Sequence, residues 1–88
     1  MKKIDLTQMK VGETGSVVEI RGGDGFVMRT QALGIREGKK IRKVSSQVWR
    51  GPVTIEIDNL KVAIGFGMAK RIMIEKEDGK DEANPFNG

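Results

Sequence analysis

The clearest hydrophobic pattern in the chain is an alternation of apolar and polar residues in its second half. This alternation runs over residues 53–58 and returns over 60–64, and Asp58-Asn59 separates the two runs. A period of two is typical of half-buried β-strands, and a two-residue Asp-Asn connection suits a tight turn. The sequence therefore predicts a β-hairpin here.

The first half of the chain predicts a strand followed by a short helix. The strand covers residues 16–21, with Val18 and Ile20 on one face and Val17 and Glu19 on the other. We expect the helix over residues 25–33, because the glycine-rich stretch before it breaks the strand.

The ends of this helix carry recognisable signals. Asp24 is a good N-cap residue, and Gly34 stands where a left-handed C-cap is needed. Gly22, Gly23 and Gly25 permit positive φ and let the helix leave the barrel sharply.

The remaining segments predict two more strands and two connections. A strand is expected over residues 39–46, where Ile41 and Val44 lie three apart and indicate a bulge. The other expected segments are a loop over 47–52 with Trp49 near its tip, a single helical turn over 65–70 and a last strand over 71–75.

Five short strands and one brief helix predict a mainly β fold, because closing a small sheet into a barrel removes most exposed edges. Our first choice is a five-stranded SH3-like barrel with the helix after the first strand, and an OB-like barrel is second. We expect the domain to cover residues 1–75. Residues 76–88 are expected to form a disordered acidic tail.

The absence of two residue types excludes most catalytic chemistry. The chain has no His and no Cys, so histidine-based triads, thiol nucleophiles and zinc sites built on nitrogen or sulfur are excluded. The 12 carboxylates match no calcium loop. We therefore expect a binding or regulatory module that is not an enzyme, with no cofactor and no metal site.

No apolar run approaches the roughly 20 residues that span a bilayer, and no apolar stretch follows the N-terminal lysines. We therefore expect no membrane insertion and a cytoplasmic location.

Charge is unevenly distributed along the chain. The net charge is +4 over all 88 residues, and the basic excess lies before residue 75. It is densest at Arg36, Lys39, Lys40, Arg42 and Lys43. This group is either a surface for phosphates or an acidic partner, or a solvated strand edge that discourages aggregation.

The order of these elements resembles the FeoA family. The glycine-rich stretch, the arginine of the helix and the turn after the helix carry the resemblance, and it extends over roughly residues 4–75. The segments are Gly22-Gly23-Asp24-Gly25, Arg29, Leu33-Gly34-Ile35-Arg36-Glu37-Gly38, Val11-Gly12-Glu13-Thr14-Gly15, Gly51-Pro52 and the strand from Ala69 to Ile74.

This resemblance implies an SH3-like barrel and an accessory role in bacterial ferrous-iron uptake. The implied partner is a FeoB-type transporter, whose cytoplasmic part carries a GTP-binding domain. The FeoA-type domain itself also occurs in iron-dependent repressors. The sequence departs from the family pattern at Thr30 and Gln31 in the helix, and at Lys43, where a strand residue is often apolar.

Candidate partner-binding residues lie in the helix, the turn after it and the two later connections. Three of them also have a structural explanation. Arg29 can pair with Asp24 or a carbonyl. Leu33 can belong to the core, and Trp49 can cap one end of the barrel. The candidates are Arg29, Leu33, Ile35, Trp49, Arg50 and Met68.

Three alternatives remain at the sequence level. A basic small barrel can bind nucleic acid by stacking bases on aromatic side chains. The chain has one Trp, three Phe and no Tyr, which provide little surface for stacking. Nucleic acid is therefore not the expected partner. Glu56 and Asp58 lie two apart and can chelate iron weakly. A short edge strand can pair two copies into a weak homodimer.

Overall fold

The computed structural model describes residues 3–46 and 49–77. Its elements follow one another along the chain with short connections. They are β1 (Lys3–Asp5), a 3-10 helix (Leu6–Gln8), β2 (Thr14–Ile20), α1 (Asp24–Ala32), β3 (Lys40–Ser46), β4 (Val53–Ile57), β5 (Leu60–Ile64), α2 (Phe66–Ala69) and β6 (Ile72–Lys76).

The described strands form one antiparallel sheet in the order β1-β6-β2-β3-β4-β5. The prediction of a small, mainly β fold with a short helix after the first long strand is confirmed. The sheet has six strands rather than five, because residues 3–5 pair with β6 instead of forming a free arm. The single helical turn predicted over 65–70 is present as α2.

The sheet wraps around a single core, since Ile4 of β1 at one end of the strand order packs against the same buried cluster that contains Ile64 of β5 at the other end. The 3-10 helix, the turn after α1 and α2 also contribute, and α1 buries Phe26 and Thr30 outside this cluster. The cluster consists of Leu6, Met9, Val17, Ile35, Ile41, Val53, Ile55, Ile57, Ile64, Ala69, Ile72 and Ile74.

A β-bulge in β2 changes which side chains reach this core. The pairing with β6 shifts between Val17 and Glu19, so Val17 lies opposite Ile74 and Ile20 lies opposite Ile72. The predicted face of Val18 with Ile20 is therefore wrong. The extra residue in the bulge places Val17 and Ile20 on the core side.

The predicted β4–β5 hairpin is confirmed. Ile57 pairs with Leu60, and the connecting residues Asp58 and Asn59 have φ of 53° and 68°. Positive φ at both positions is the signature of a type I′ turn, which matches the twist of the flanking strands. A second bulge lies between Lys43 and Ser45 in β3, as the spacing of its apolar residues predicts.

The start of α1 differs from the prediction. Gly23 is the N-cap residue, without a side-chain hydrogen bond, and Asp24 is already helical. Gly22, Gly23 and Gly25 do not adopt positive φ, whereas Gly34 does at +91°, as its C-cap role requires. Space is what requires glycine at position 22, because a Cβ there would lie 2.6 Å from the Phe26 ring.

The last strand lies one residue later than predicted. β6 covers Ile72–Lys76 rather than residues 71–75, and the backbone N–H of Glu77 donates to the carbonyl of Thr14 at 3.0 Å. The predicted tail over residues 76–88 lies outside the described residues from position 78 onward. The division into a domain over 1–75 and a disordered acidic tail stays a prediction.

Candidate partner-binding surface

Trp49 is almost fully exposed at the connection between β3 and β4. Its side chain is 91% accessible, and both Trp49 and Arg50 have positive φ, of 57° and 60°. Non-glycine residues adopt this conformation at an energetic cost. The proposed role of Trp49 as a cap on the barrel end is wrong, because its ring contributes nothing to the core. The preceding Gln47 and Val48 lie outside the described residues.

Beside this connection, Phe66 of α2 lies between two cations. The guanidinium carbon of Arg50 is 5.9 Å from the Phe66 ring centroid, and the Nζ atom of Lys70 is 5.8 Å from it. Both distances fall within the range of cation–π attraction. The half-buried ring of Phe66 thus links the Trp49 connection to the end of α2.

Phe26 of α1 has a similar environment. The guanidinium carbon of Arg71 lies 5.1 Å from its ring centroid, and that of Arg29 lies 5.9 Å from it. Arg71 directly follows Lys70, so the two aromatic groups meet at this dipeptide. Among the described residues Arg29 forms no ion pair with Asp24, and its contact is with the aromatic ring instead.

We call these residues together the basic aromatic surface. Its four cations form no ion pair with any carboxylate in residues 3–46 and 49–77, whereas six ion pairs join cations and carboxylates elsewhere in that part of the chain. Within the described part of the chain, its guanidinium and ammonium groups therefore have no carboxylate partner. The surface consists of Phe26, Arg29, Trp49, Arg50, Phe66, Lys70 and Arg71.

The sequence identified only part of this surface. Arg29, Trp49 and Arg50 were candidates, but Phe26 and the Lys70-Arg71 pair were not. The surface draws its residues from position 26 to position 71, and only the adjacent Lys70-Arg71 cations gave a local signal.

Three other candidates lie in different environments from those expected. Ile35 is 0% exposed and belongs to the core, so its side chain does not lie at the surface where a partner could contact it. Leu33 is 41% exposed, so the core explanation for it is wrong and an interface role stays a prediction. Met68 is half-buried and packs against the core, which leaves only part of its thioether for a partner. The chain turns inward after Gly34, and this turn buries Ile35.

The basic group around β3 is not a single free patch. Lys39, Lys40 and Arg42 each pair with a carboxylate, at 2.5, 2.7 and 2.7 Å. Arg36 is exposed. This surface therefore resembles the solvated strand edge more than an anion site.

Lys43 is buried rather than solvated. It is 3% exposed, and its Nζ donates to the carbonyl oxygens of Met9 at 2.6 Å, Thr7 at 3.2 Å and Leu6 at 3.3 Å. Burial lowers the pKa of Lys43, while the charges of Asp5 and Glu13 raise it in part. The ammonium group satisfies carbonyls at the end of the 3-10 helix, which explains a lysine at a position where an apolar residue was expected.

The carboxylates of Glu56 and Asp58 are already paired with basic side chains. The carboxylate of Glu56 accepts hydrogen bonds from Arg42 at 2.7 and 3.2 Å, and Asp58 pairs with Lys39 at 2.5 Å. They line an open cleft of about 280 Å³ together with Lys40 and others. No group of three or more acidic, His or Cys side chains suited to a metal occurs in the described part of the chain. Nothing here supports weak iron chelation.

Glu13, in the turn before β2, and Glu19, in β2, have lowered pKa values. The backbone N–H of Lys10 and the ammonium of Lys76 bind Glu13 and lower its pKa. Arg21 and Lys3 lower the pKa of Glu19. These pairs lie outside the basic aromatic surface.

No helix in the described residues is long and apolar enough to cross a membrane.

Comparisons of this chain with known proteins by sequence and by structure indicate the same family. A family model described as the FeoA domain matches residues 4–76. A candidate Fe(2+) transport protein A from Methanocaldococcus jannaschii is 38% identical over 70 residues, covering 80% of this chain and 83% of that protein.

Solved structures agree with this match. The crystal structure of an iron uptake regulatory protein (FeoA) has a TM-score of 0.80 at 31% identity and covers 88% of this chain and 100% of its own. A manganese-dependent transcriptional repressor has a TM-score of 0.78 at 21% identity, covering 85% of this chain but only 42% of the repressor, and this likeness concerns the fold alone. The predicted SH3-like class is thus confirmed.

The family match spans nearly all of the sheet, both helices and the glycine-rich stretch before α1. Membership implies a role in ferrous-iron transport. The chain belongs to the FeoA domain family.

Proposed function

We propose that this chain is a non-enzymatic cytoplasmic accessory protein that regulates ferrous-iron transport by binding the cytoplasmic part of a FeoB-type transporter. Family membership supports the process, and the basic aromatic surface supports binding rather than catalysis. No cofactor enters this proposal.

The exposure of Trp49 is the observation that carries the proposal. A tryptophan that is 91% accessible leaves a large apolar ring in water unless a partner covers it. Tryptophan and arginine are also the residues most enriched at the energetic centres of protein interfaces. Arg50 lies directly beside Trp49 and is held by the Phe66 ring, so its guanidinium is positioned before binding.

The charge of the surface defines the chemistry of the partner. Four cations without carboxylate partners in the described residues favour an acidic protein surface. Charge complementarity of this kind raises the association rate at low ionic strength. Binding should therefore weaken as salt increases, while the contribution of the Trp49 ring persists.

A direct titration against the isolated cytoplasmic domain of the transporter tests this proposal, with GTP and with GDP. We expect saturable binding that Trp49→Ala weakens by about tenfold or more, as expected when an interface anchor is removed. Arg29→Ala should weaken binding less and reduce its salt dependence. Leu60→Ala, which truncates an exposed side chain outside the basic aromatic surface, is the matched control and should change affinity less than twofold. Equal binding by Trp49→Ala and the wild type would contradict the assigned surface.

Nucleic acid is the second candidate, because the same unpaired cations can contact phosphates. The two phenylalanine rings argue against it, because Phe26 is 9% exposed and Phe66 is half-buried. Among the described rings only Trp49 offers a free face for a base. A titration with single-stranded DNA and RNA at two salt concentrations separates the candidates. Micromolar affinity with a steep salt dependence, together with no binding to the transporter domain, would favour nucleic acid.

A further inference from the structure

In residues 3–46 and 49–77, the outer edge of β5 has backbone hydrogen-bonding groups without a partner. β5 is the last strand in the sheet order and pairs only with β4 among the described strands. The type I′ turn makes Ile57 and Leu60 a hydrogen-bonded pair, and such pairs alternate along an antiparallel ladder. Residues 60, 62 and 64 therefore bond to β4, whereas the N–H and C=O groups of Lys61 and Ala63 point outward.

Nothing in the described residues covers this edge. Leu60 is 65% exposed, Lys61 and Ala63 are exposed, and Val62 is partly buried. An edge strand with open backbone groups and apolar side chains is a template for another strand.

We propose that β5 pairs antiparallel with β5 of a second copy of this chain, with Val62 opposite its own symmetry mate on the two-fold axis. In this register Lys61 faces Ala63 of the other copy, and the outward backbone groups of both residues bond across the interface. No like charges lie directly opposite each other, so the strand is complementary to itself. Leu60 then lies opposite Ile64 of the second copy, which covers an exposed leucine.

The two neighbouring registers are less favourable for reasons visible in the structure. A pairing centred on Lys61 places two ammonium groups directly opposite each other, which destabilises a strand pair. A pairing centred on Ala63 brings Gly65 opposite Lys61, but the carbonyl of Gly65 already accepts the N–H of Ala69 in α2. In the register centred on Val62, the outward groups of Lys61 and Ala63 bond to each other, so no group outside β5 is required.

A single-cysteine scan of the full chain tests the register directly, because the native sequence has no cysteine. We expect Val62→Cys to form a covalent dimer under mild oxidation, since facing residues at a non-hydrogen-bonded position lie about 4.5 Å apart between Cα atoms. Lys61→Cys and Ala63→Cys are matched controls whose symmetry mates lie too far apart to join. Preferential joining by either control would overturn the register.

Two substitutions at the exposed Ala63 test the interface without altering the core. Ala63→Glu places a carboxylate opposite Lys61 of the other copy twice per dimer, and Ala63→Lys places an ammonium there. We expect Ala63→Glu to tighten the dimer by between about twofold and thirtyfold and Ala63→Lys to weaken it by a similar factor, as measured by analytical ultracentrifugation over a concentration series.

Each outcome of this series decides the proposal. A monomer at every concentration, for the wild type and for Ala63→Glu, would overturn it. A dimer that responds to neither substitution would assign self-association to another surface and would also overturn it. The result is independent of transporter binding, because β5 contributes no residue to the basic aromatic surface.

Discussion

A buried ammonium group attaches the N-terminal segment to the sheet. The Nζ atom of Lys43 reaches the carbonyls of Leu6, Thr7 and Met9, which come from the 3-10 helix and the residue after it. Leu6 and Met9 are themselves core residues, so the cation and the apolar contacts act on the same segment. A charge in this position is stable only because backbone oxygens replace its water.

At the residue scale, we therefore predict that Lys43→Met lowers the free energy of unfolding by about 2–4 kcal/mol. The substitution keeps an apolar stem but removes the donor to the carbonyls of Thr7 and Met9, whereas the carbonyl of Leu6 still accepts the N–H of Met9. Urea unfolding measures the change. Lys40→Met, at an exposed position with a surface ion pair to Glu77, is the control and should change stability by less than about 1 kcal/mol. Equal stability of Lys43→Met and the wild type would contradict a stabilising role for these hydrogen bonds.

A second prediction at the residue scale concerns acid stability and Glu13. Its pKa is lowered by the backbone N–H of Lys10 and by Lys76, so the charged carboxylate stabilises the folded state. A lowered pKa gives a contribution that is present above the unfolded-state value of 4.5 and is lost as pH falls through the folded-state value. Glu13→Gln should therefore cost less than about 1 kcal/mol at neutral pH, since Glu13 is partly exposed.

The difference between Glu13→Gln and the wild type should vanish in acid, where both side chains are neutral. Unfolding midpoints at a series of pH values between neutral and strongly acidic conditions check this expectation. Glu75→Gln is the matched control, because Glu75 forms no ion pair within residues 3–46 and 49–77. If the stability difference between Glu13→Gln and the wild type did not change with pH, packing rather than charge would cause the effect.

At the element scale, the start of α1 is set by two neighbouring glycines with different requirements. A Cβ at position 22 would lie 2.6 Å from the Phe26 ring, whereas a Cβ at position 23 meets nothing within 4 Å. Gly23 is the N-cap, with φ of −77° and ψ of 176°, a conformation in which serine caps well. The same substitution should therefore have opposite effects at the two positions.

We predict that Gly22→Ser destabilises the protein by about 1–3 kcal/mol, since the added atom forces Phe26 to move within its packed environment. Gly23→Ser should stabilise it by a few tenths of a kcal/mol, because its hydroxyl can accept a backbone N–H of the first turn. Thermal unfolding of the two variants side by side checks both signs. Destabilisation of similar size at both positions would indicate that the stretch needs backbone freedom rather than space at position 22.

The movement of Phe26 has a functional consequence at the same scale. Arg29 and Arg71 lie over its ring, so a displaced ring also displaces two cations of the basic aromatic surface. We therefore expect Gly22→Ser to weaken transporter binding even at temperatures where the variant remains folded.

At the scale of the whole molecule, every core residue in the described part of the chain lies between positions 6 and 74. The sequence after Glu77 has Phe86 as its one large apolar residue. We predict that deleting residues 78–88 leaves the midpoint of thermal unfolding unchanged within about 2 °C, because little apolar burial is lost. A clear fall in the midpoint would contradict the sequence-based prediction that this segment is a disordered tail.

Much of the local structure could be predicted because its signals lie between sequence neighbours. The alternation over residues 53–64 predicts the β4–β5 hairpin, and Asp58-Asn59 predicts its turn. Gly34 marks the end of α1, and the spacing of Ile41 and Val44 predicts the bulge in β3. Each depends on the conformational preferences of a few consecutive residues.

Other features could not be predicted because they depend on partners far away in the chain. β1 has only three residues and exists through pairing with β6, about seventy positions later. The bulge in β2 exchanges the roles of Val17 and Val18, and no local pattern marks it. The same holds for the candidate site, where Ile35 proved buried and Leu33 exposed.

The sequence by itself determined the mainly β class, the hairpin, the family resemblance and the absence of histidine and cysteine chemistry, since composition and short-range pattern carry these properties. Tertiary structure alone decided that Lys43 is buried on backbone carbonyls and that Arg29, Arg50, Lys70 and Arg71 gather over two phenylalanine rings. The physical reason is that burial and ion pairing depend on groups brought together only when the sheet wraps around its core.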